Sequence, residues 1–284
     1  VPVVDIEKHE NRLGGAANVA LNIKSLGANP ILCSVIGDDD KGMIFEKLML
    51  QQQLDTNAII KSKNRKTTIK TRVIANNQHQ IRVDEEDIHD INEEKQILSK
   101  ISDLINTIHV IILQDYNKGV LTTKVIEDTI KIAKNHNIPI VVDPKTKNYS
   151  SYAGCTIFKP NLKEIQKGMN ISFDPSKPIE INSVLNKLRN MLDVDMILLT
   201  LSEKGMCIKT KEKFLHKKVY PREIIDVSGA GDTVISIASL CITEKISCNT
   251  LAKFCNLAGG LVCEEVGVVP INKIKLIEEA KKLI

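Results

Sequence analysis

The chain has no tryptophan, and only five phenylalanines and four tyrosines among 284 residues. So few rings argue against a stacking platform for single-stranded nucleic acid. Charge of neither sign dominates: 39 basic residues against 35 acidic ones leave a formal net charge of +4. That balance speaks against a nucleic-acid or membrane surface as partner. Long hydrophobic runs are missing too. The longest, such as residues 110–113 and 196–199, are far too short to cross a bilayer. No secretory signal is expected from the first residues given. Nor is there a Cys-x-x-Cys pair. The seven cysteines read as reduced, mostly buried small hydrophobes of a cytoplasmic protein. Cys241, Cys248 and Cys255 recur every seven residues, but no histidine accompanies them at ligand spacing. Helix packing is therefore expected there, not a metal or redox stripe. With no internal repeat and no low-complexity linker, residues 1–284 are expected to form a single domain.

What is present is a hydrophobic content of 43%, ample for a core, arranged in two alternating periods. Ala16, Val19, Ala20, Ile23 and Leu26 fall on one helical face, and Gly27 suits its C-terminal stop. Residues 31–36 read as a buried strand. Helices are expected over 43–54, 121–135, 231–243, 248–265 and 271–283. Short apolar runs at 108–113, 139–142, 156–158 and 196–199 are each bounded by polar or turn residues. Strands alternating with helices predict an α/β fold, a mainly parallel sheet flanked by helices on both faces.

Residues 67–83 depart from this pattern. They alternate polar and apolar, with Asn76-Asn77 midway as a hairpin turn. A basic cluster (Lys61, Lys63, Arg65, Lys66, Lys70, Arg72) and an acidic one (Asp84, Glu85, Glu86, Asp87) flank the hairpin. Most of these charges read as solvated surface. A small β hairpin projecting from an α/β core nevertheless suits a lid, and alternation can turn Arg72 and Arg82 toward a covered site.

The most informative string is Asp226-Val227-Ser228-Gly229-Ala230-Gly231-Asp232-Thr233, followed by apolar residues at helical spacing. The glycines let successive N–H groups converge on one cavity, and the helix start adds its own free donors. Gly229, Ala230 and Gly231 are thus candidates for an anion hole holding a phosphoryl group. Asp232, at the helix start, is the candidate base for an attacking hydroxyl. Position near a helix N-terminus predicts that its ionised form is favoured. In parallel sheets ligands bind beyond the carboxyl ends of the strands. The segments there begin at Gln114, Asp143, Lys159 and Thr200, and each offers Asp, Lys, Asn or Ser.

With Arg12-Leu13-Gly14-Gly15-Ala16-Ala17-Asn18 near one end and Asp226–Asp232 near the other, the chain resembles the ribokinase (PfkB-type) family of sugar kinases. Within it, the chain looks most like the D-glycero-D-manno-heptose-7-phosphate kinases. Residues 14–28, the stretch Gln80-Ile81-Arg82-Val83-Asp84, residues 115–119, 143–145 and 159–164, and 226–234 carry that likeness. The resemblance implies a ribokinase-like fold with its lid within residues 1–12 and 64–85. It implies ATP and Mg²⁺ as cofactors, Asp232 as base, and sugar contacts from Gly14, Gly15 and Asn18. Asn161 and Glu164 would organise Mg²⁺ and phosphate. Thr200, Ser202, Gly205 and, more weakly, Asn256 would lie along the nucleotide. Arg82, Lys118 and Lys145 are candidates for the substrate's 7-phosphate, since a dianion needs fixed cations. An exposed lid edge would invite strand pairing with a second copy, which points to a homodimer through the lid.

The chain departs from the family pattern in three places. A first strand with an Asp-containing turn is expected ahead of Val1, Ser236 stands where Gly is common, and no His-x-Gly-His string of a fused adenylyltransferase occurs. Two alternatives stay open: a kinase of another sugar or nucleoside, and a catalytically silent protein binding nucleotide or sugar phosphate.

Overall fold

The computed structural model describes residues 4–75 and 78–283. Regular structure begins with α1 (Ala16–Ser25), β1 (Ser34–Gly37), α2 (Asp40–Gln51) and β2 (Ile59–Ser62). The two strands pair in parallel as a sheet of their own. The alternating segment forms an antiparallel hairpin, β3 (Ile69–Ala75) and β4 (Gln78–Glu85), with a register shift between Val73 and Ile74. Its Asn76-Asn77 turn lies outside the described residues. After α3 (Glu94–Leu104) come β5 (Ile111–Gln114), α4 (Thr123–Asn135), β6 (Ile140–Asp143) and β7 (Ile157–Phe158). Then follow α5 (Leu162–Gly168), α6 (Pro178–Leu192), β8 (Met196–Thr200), β9 (Met206–Lys209) and β10 (Phe214–Lys217). The chain closes on α7 (Ala230–Thr243), α8 (Cys248–Val262) and α9 (Lys273–Leu283).

Strands β5 to β10 form one sheet in the order β10-β9-β8-β7-β6-β5. β5 to β8 are parallel, while β9 and β10 turn back antiparallel. Both faces are covered, so neighbouring residues of one strand enter different cores. Val141, Ile157 and Leu198 pack with Val19, Ile235 and Leu257 of α1, α7 and α8. Ile140, Val142 and Ile197 pack on the other side with Ile126 and Ile130 of α4 and Leu185 and Leu188 of α6. Cys255 is buried in the α7–α8 core, with Cys241 and Cys248 packed against it. Among the described residues no helix is long and apolar enough to cross a membrane.

Two expectations are altered. The strand read over 31–36 starts only at Ser34 and pairs with β2, not with the main sheet. Three strands and three helices, β2, β9, β10, α3, α5 and α6, join the elements read from periodicity. Between β1 and β5 runs a cavity of about 2070 Å³, walled there by Val35, Ile36, Ile112 and Leu113. It continues under β3 to Gly15, Tyr116 and Asp232.

Candidate active site

The turn into α7 is held by Asp226, whose carboxylate accepts from the backbone N–H of Ser228 and of Gly267, both at 2.9 Å. Gly229 then takes the left-handed conformation, φ 82°, which a side chain would strain. Asp232 sits half-buried in the first turn of α7. Asn18 of α1 donates to its Oδ2 at 2.8 Å, and the Tyr116 hydroxyl donates to its Oδ1 at 2.9 Å. Packing of α1 on α7 makes this possible: Asn22 Oδ1 accepts from Thr233 Oγ1 at 3.1 Å and from the Ile271 N–H at 2.9 Å. The two glycine motifs, remote in sequence, thus share one site.

Burial pushes the Asp232 carboxyl above its ordinary value, and the negative charge of Asp143 adds to the rise. The donors from Asn18 and Tyr116 and the charge of Lys159 act in the opposite sense without reversing it. Burial thus works against the helix start, which on its own favours the ionised form. The desolvation arises because the carboxylate is walled in by α1 and the loop after β5.

Beside Gly231 lies an ion pair between Lys159 Nζ and Asp143 Oδ1 at 3.0 Å, both side chains at least nine-tenths buried. A Cβ placed on Gly231 would be 3.8 Å from each partner. Gln114 donates to the other Asp143 oxygen at 3.1 Å. Sequence reasoning assigned no role to Gln114, Tyr116, Asp143 or Lys159. Their signals were a place at the strand ends and, for Tyr116, Asp143 and Lys159, membership of the segments that carry the likeness to heptose-7-phosphate kinases.

The family is decided by comparison with known proteins. The model of the pfkB family of carbohydrate kinases matches residues 2–274. The chain belongs to this family. Transfer of phosphate from ATP to a sugar is the activity that goes with it. The bifunctional protein HldE of Aliarcobacter butzleri (strain RM4018) is 40% identical over 272 residues, covering 94% of this chain and 56% of the relative. That of Helicobacter pylori (strain HPAG1) is 36% identical over 281 residues, covering 98% and 60%. The chain thus spans under two thirds of the length of the curated relatives it matches. Escherichia coli phosphofructokinase-2 in complex with fructose-6-phosphate superposes with a TM-score of 0.79 at 18% identity, covering 95% of this chain and 87% of that one. Arabidopsis thaliana ribokinase complexed with ribose and ATP gives 0.70 at 16%, covering 92% and 86%. The fold is ribokinase-like.

The other expected residues of this pfkB-family chain fall into two groups. Asn161 caps α5, accepting from the Glu164 N–H, while the Glu164 carboxylate accepts from the Asn161 N–H, each at 2.9 Å. Lys145 ion-pairs with the same Glu164. Thr200 bridges to Asn161 at the end of β8. Gly205, φ 91°, lies against the Lys217 carbonyl, and Asn256 donates to the carbonyls of Lys217 and Lys218 at 3.1 Å. Ser202 is exposed in the short turn before Gly205. These residues, except Lys145 just after β6 and Asn256 on α8, come from the β7–β9 side of the sheet. Gly14 and Gly15 line the cavity near Asp232. Lys118 lines it too, ion-paired with Glu86. Arg82 pairs instead with Asp84 at 3.0 Å on the hairpin, and neither Arg82 nor Lys145 is among the described residues lining the cavity. Ser236 keeps its hydroxyl on the Asp232 carbonyl at 2.7 Å, inside α7 and away from the glycines.

Tyr116 is delivered by a firmly anchored loop. Asp115 accepts from the Asn117 N–H and from the Tyr152 hydroxyl, both at 2.7 Å, and Arg65 donates to the Lys118 carbonyl at 2.6 Å. At Gly119, φ 79°, a Cβ would fall 1.8 Å from the His89 carbonyl oxygen, so the loop must move if a side chain is added. Gly119→Ala is expected to destabilise the fold by roughly 1–3 kcal/mol or more. Chemical denaturation reads that loss; a variant as stable as the parent would refute the anchoring.

Proposed function

We propose that this chain phosphorylates the anomeric hydroxyl of D-glycero-D-manno-heptose 7-phosphate with ATP, Asp232 serving as base. The single observation that carries the reading is Asp232, held at both oxygens, at the mouth of the Gly229–Gly231 turn and open to the cavity. In this reading Asp232 takes the proton of the hydroxyl as its oxygen attacks the γ-phosphorus of ATP. The bond to the departing ADP oxygen breaks, and the N–H groups at Gly229 and Gly231 hold the phosphoryl oxygens, joined by that of Ala230 once it leaves the Val227 carbonyl it meets at 3.3 Å. A base with a raised pKa accepts the proton more readily in flight.

Gly14, Gly15 and Asn18 would hold the sugar. The buried Oδ1 of Asn18 has no partner among the described residues, which suits an incoming hydroxyl. Lys118 is the member of the proposed phosphate clamp that lines the cavity; Lys145 and Arg82 would have to leave Glu164 and Asp84 to join it. Thr200, Ser202, Gly205 and Asn256 would lie along ATP. Mg²⁺ would neutralise charge on the phosphates. Among the described residues no cluster of three His, Cys, Asp or Glu stands ready for a metal. Asn161 and Glu164 still fit an ion that keeps its waters and leans mainly on phosphate oxygens.

The heptose reading is supported by the likeness of residues 14–28 and 115–119 to heptose-7-phosphate kinases, and by relatives named bifunctional protein HldE. Seven unbridged cysteines suit a cytoplasmic setting. Hairpin β3–β4 would be the lid, and its exposed Ile74, Ile81 and Val83 are where two copies would pair.

The test is ATP consumption with Mg²⁺, offering heptose 7-phosphate beside ribose, fructose 6-phosphate and adenosine. Turnover confined to heptose 7-phosphate is expected. Preference for ribose or adenosine would overturn the phosphate clamp and the substrate while leaving the kinase chemistry; no turnover with any sugar would favour a silent binding protein.

A further inference from the structure

We infer that Tyr116 is a positioning residue for phosphoryl transfer, holding the Asp232 carboxylate in the orientation from which it takes the acceptor's proton. This rests on the reading of Asp232 as base. A carboxylate on a helix can rotate about two side-chain bonds, and a base helps only when its lone pair meets the proton in line. Here both oxygens are engaged from opposite elements, Oδ2 by Asn18 of α1 and Oδ1 by the Tyr116 hydroxyl. Each oxygen retains a free lone pair, so the acceptor hydroxyl can bind without displacing either donor.

The phenol is itself held in place. The turn around it is anchored by Asp115 and Arg65, as described above, and the ring lies 3.5 Å from where a Gly15 Cβ would stand. Its hydroxyl proton is firmly bound, since burial and the neighbouring Asp232 charge raise its pKa far above that of a free phenol. Tyr116 therefore acts only as a donor. A donor to a carboxylate stabilises the ionised form over the neutral acid. The groups facing Asp232 are Asn18 from α1, Tyr116 from the loop after β5, Asp143 from β6 and Lys159 after β7. Of these, Asp143 raises the Asp232 pKa and the other three lower it. Removing the phenol hydroxyl leaves Asp143 and burial less opposed, so the base is lost to protonation at a higher pH.

The experiment compares Tyr116→Phe with the parent in kcat, in KM for ATP and for heptose 7-phosphate, and in the pH profile of kcat. The expected result is a fall in kcat of roughly tenfold or more with ATP KM unchanged. The acid limb of the profile is expected to move to higher pH. A merely structural tyrosine would lower the melting temperature without moving that limb. As a second probe, 3-fluorotyrosine installed at position 116 keeps the ring and donates more strongly, so the limb should move to lower pH. An unmoved limb in both proteins, or a kcat equal to the parent's in Tyr116→Phe, overturns the assignment. If Asp232→Asn is inactive while Tyr116→Phe matches the parent, only the role of Tyr116 falls. If Asp232→Asn turns over normally, the base falls with it.

Discussion

Asp232→Asn is expected to lower kcat by roughly a hundred- to ten-thousandfold while leaving ATP affinity in place. The change is nearly isosteric and keeps an oxygen for one of the two donors that grip the carboxylate. What it removes is the lone pair that accepts the proton. The Gly229–Gly231 turn is untouched, because Asp226 holds it through Ser228 and Gly267. Steady-state kinetics with the preferred sugar, beside ATP binding by calorimetry, separates the two effects. In the parent enzyme, burial raises the Asp232 pKa, so its acid limb should lie above the pH at which a free aspartate loses its proton. The sign follows from the working form: the base is the ionised carboxylate, and a raised pKa leaves less of it at low pH. A turnover number preserved in Asp232→Asn would remove the base from the mechanism.

The second large effect is one of stability. Lys159→Met leaves Asp143 buried beside the anion hole with its cation gone, since the pair is 3.0 Å apart and hardly exposed. Breaking a buried pair from one side is expected to cost about 3–5 kcal/mol, because the remaining charge has neither water nor partner. Gln114 alone, donating one hydrogen bond to Asp143, cannot replace a charge. Replacing both members, Lys159→Met with Asp143→Leu, should recover most of that stability in chemical denaturation. Turnover should stay low in the double variant, since the pair also walls the space beside Gly231 and faces Asp232. A double variant no more stable than the single one would show that the pair is not the source of the loss.

Much of the scaffold was legible because burial on both faces leaves a strong mark. The apolar runs at 139–142 and 196–199 are strands with neighbouring residues in two separate cores, and no polar residue could be tolerated at either. Helix α6 was equally legible in principle: Ile181, Leu185, Leu188 and Leu192 are its buried face, with Pro178 at its start. Strands β9 and β10 were harder. Only four residues each, they are joined through Thr210–Lys213, where polar residues hide the pairing from any periodicity. The place of β1 was not readable at all, since an apolar run does not say which edge it will pair with.

By itself the sequence determined the α/β class, the hairpin, and two glycine motifs whose residue types suit phosphoryl transfer. These are local matters: periodicity, turn chemistry, and the absence of a Cβ. Only the tertiary structure decided that Asn18 and Tyr116 meet the two oxygens of Asp232, and that Lys159 and Asp143 are a buried pair beside Gly231. It also decided the direction of the Asp232 pKa, because desolvation depends on what packs around a group and not on its neighbours in the chain. Packing of α1 against α7, which brings together residues separated by 214 positions, turns two short motifs into one site.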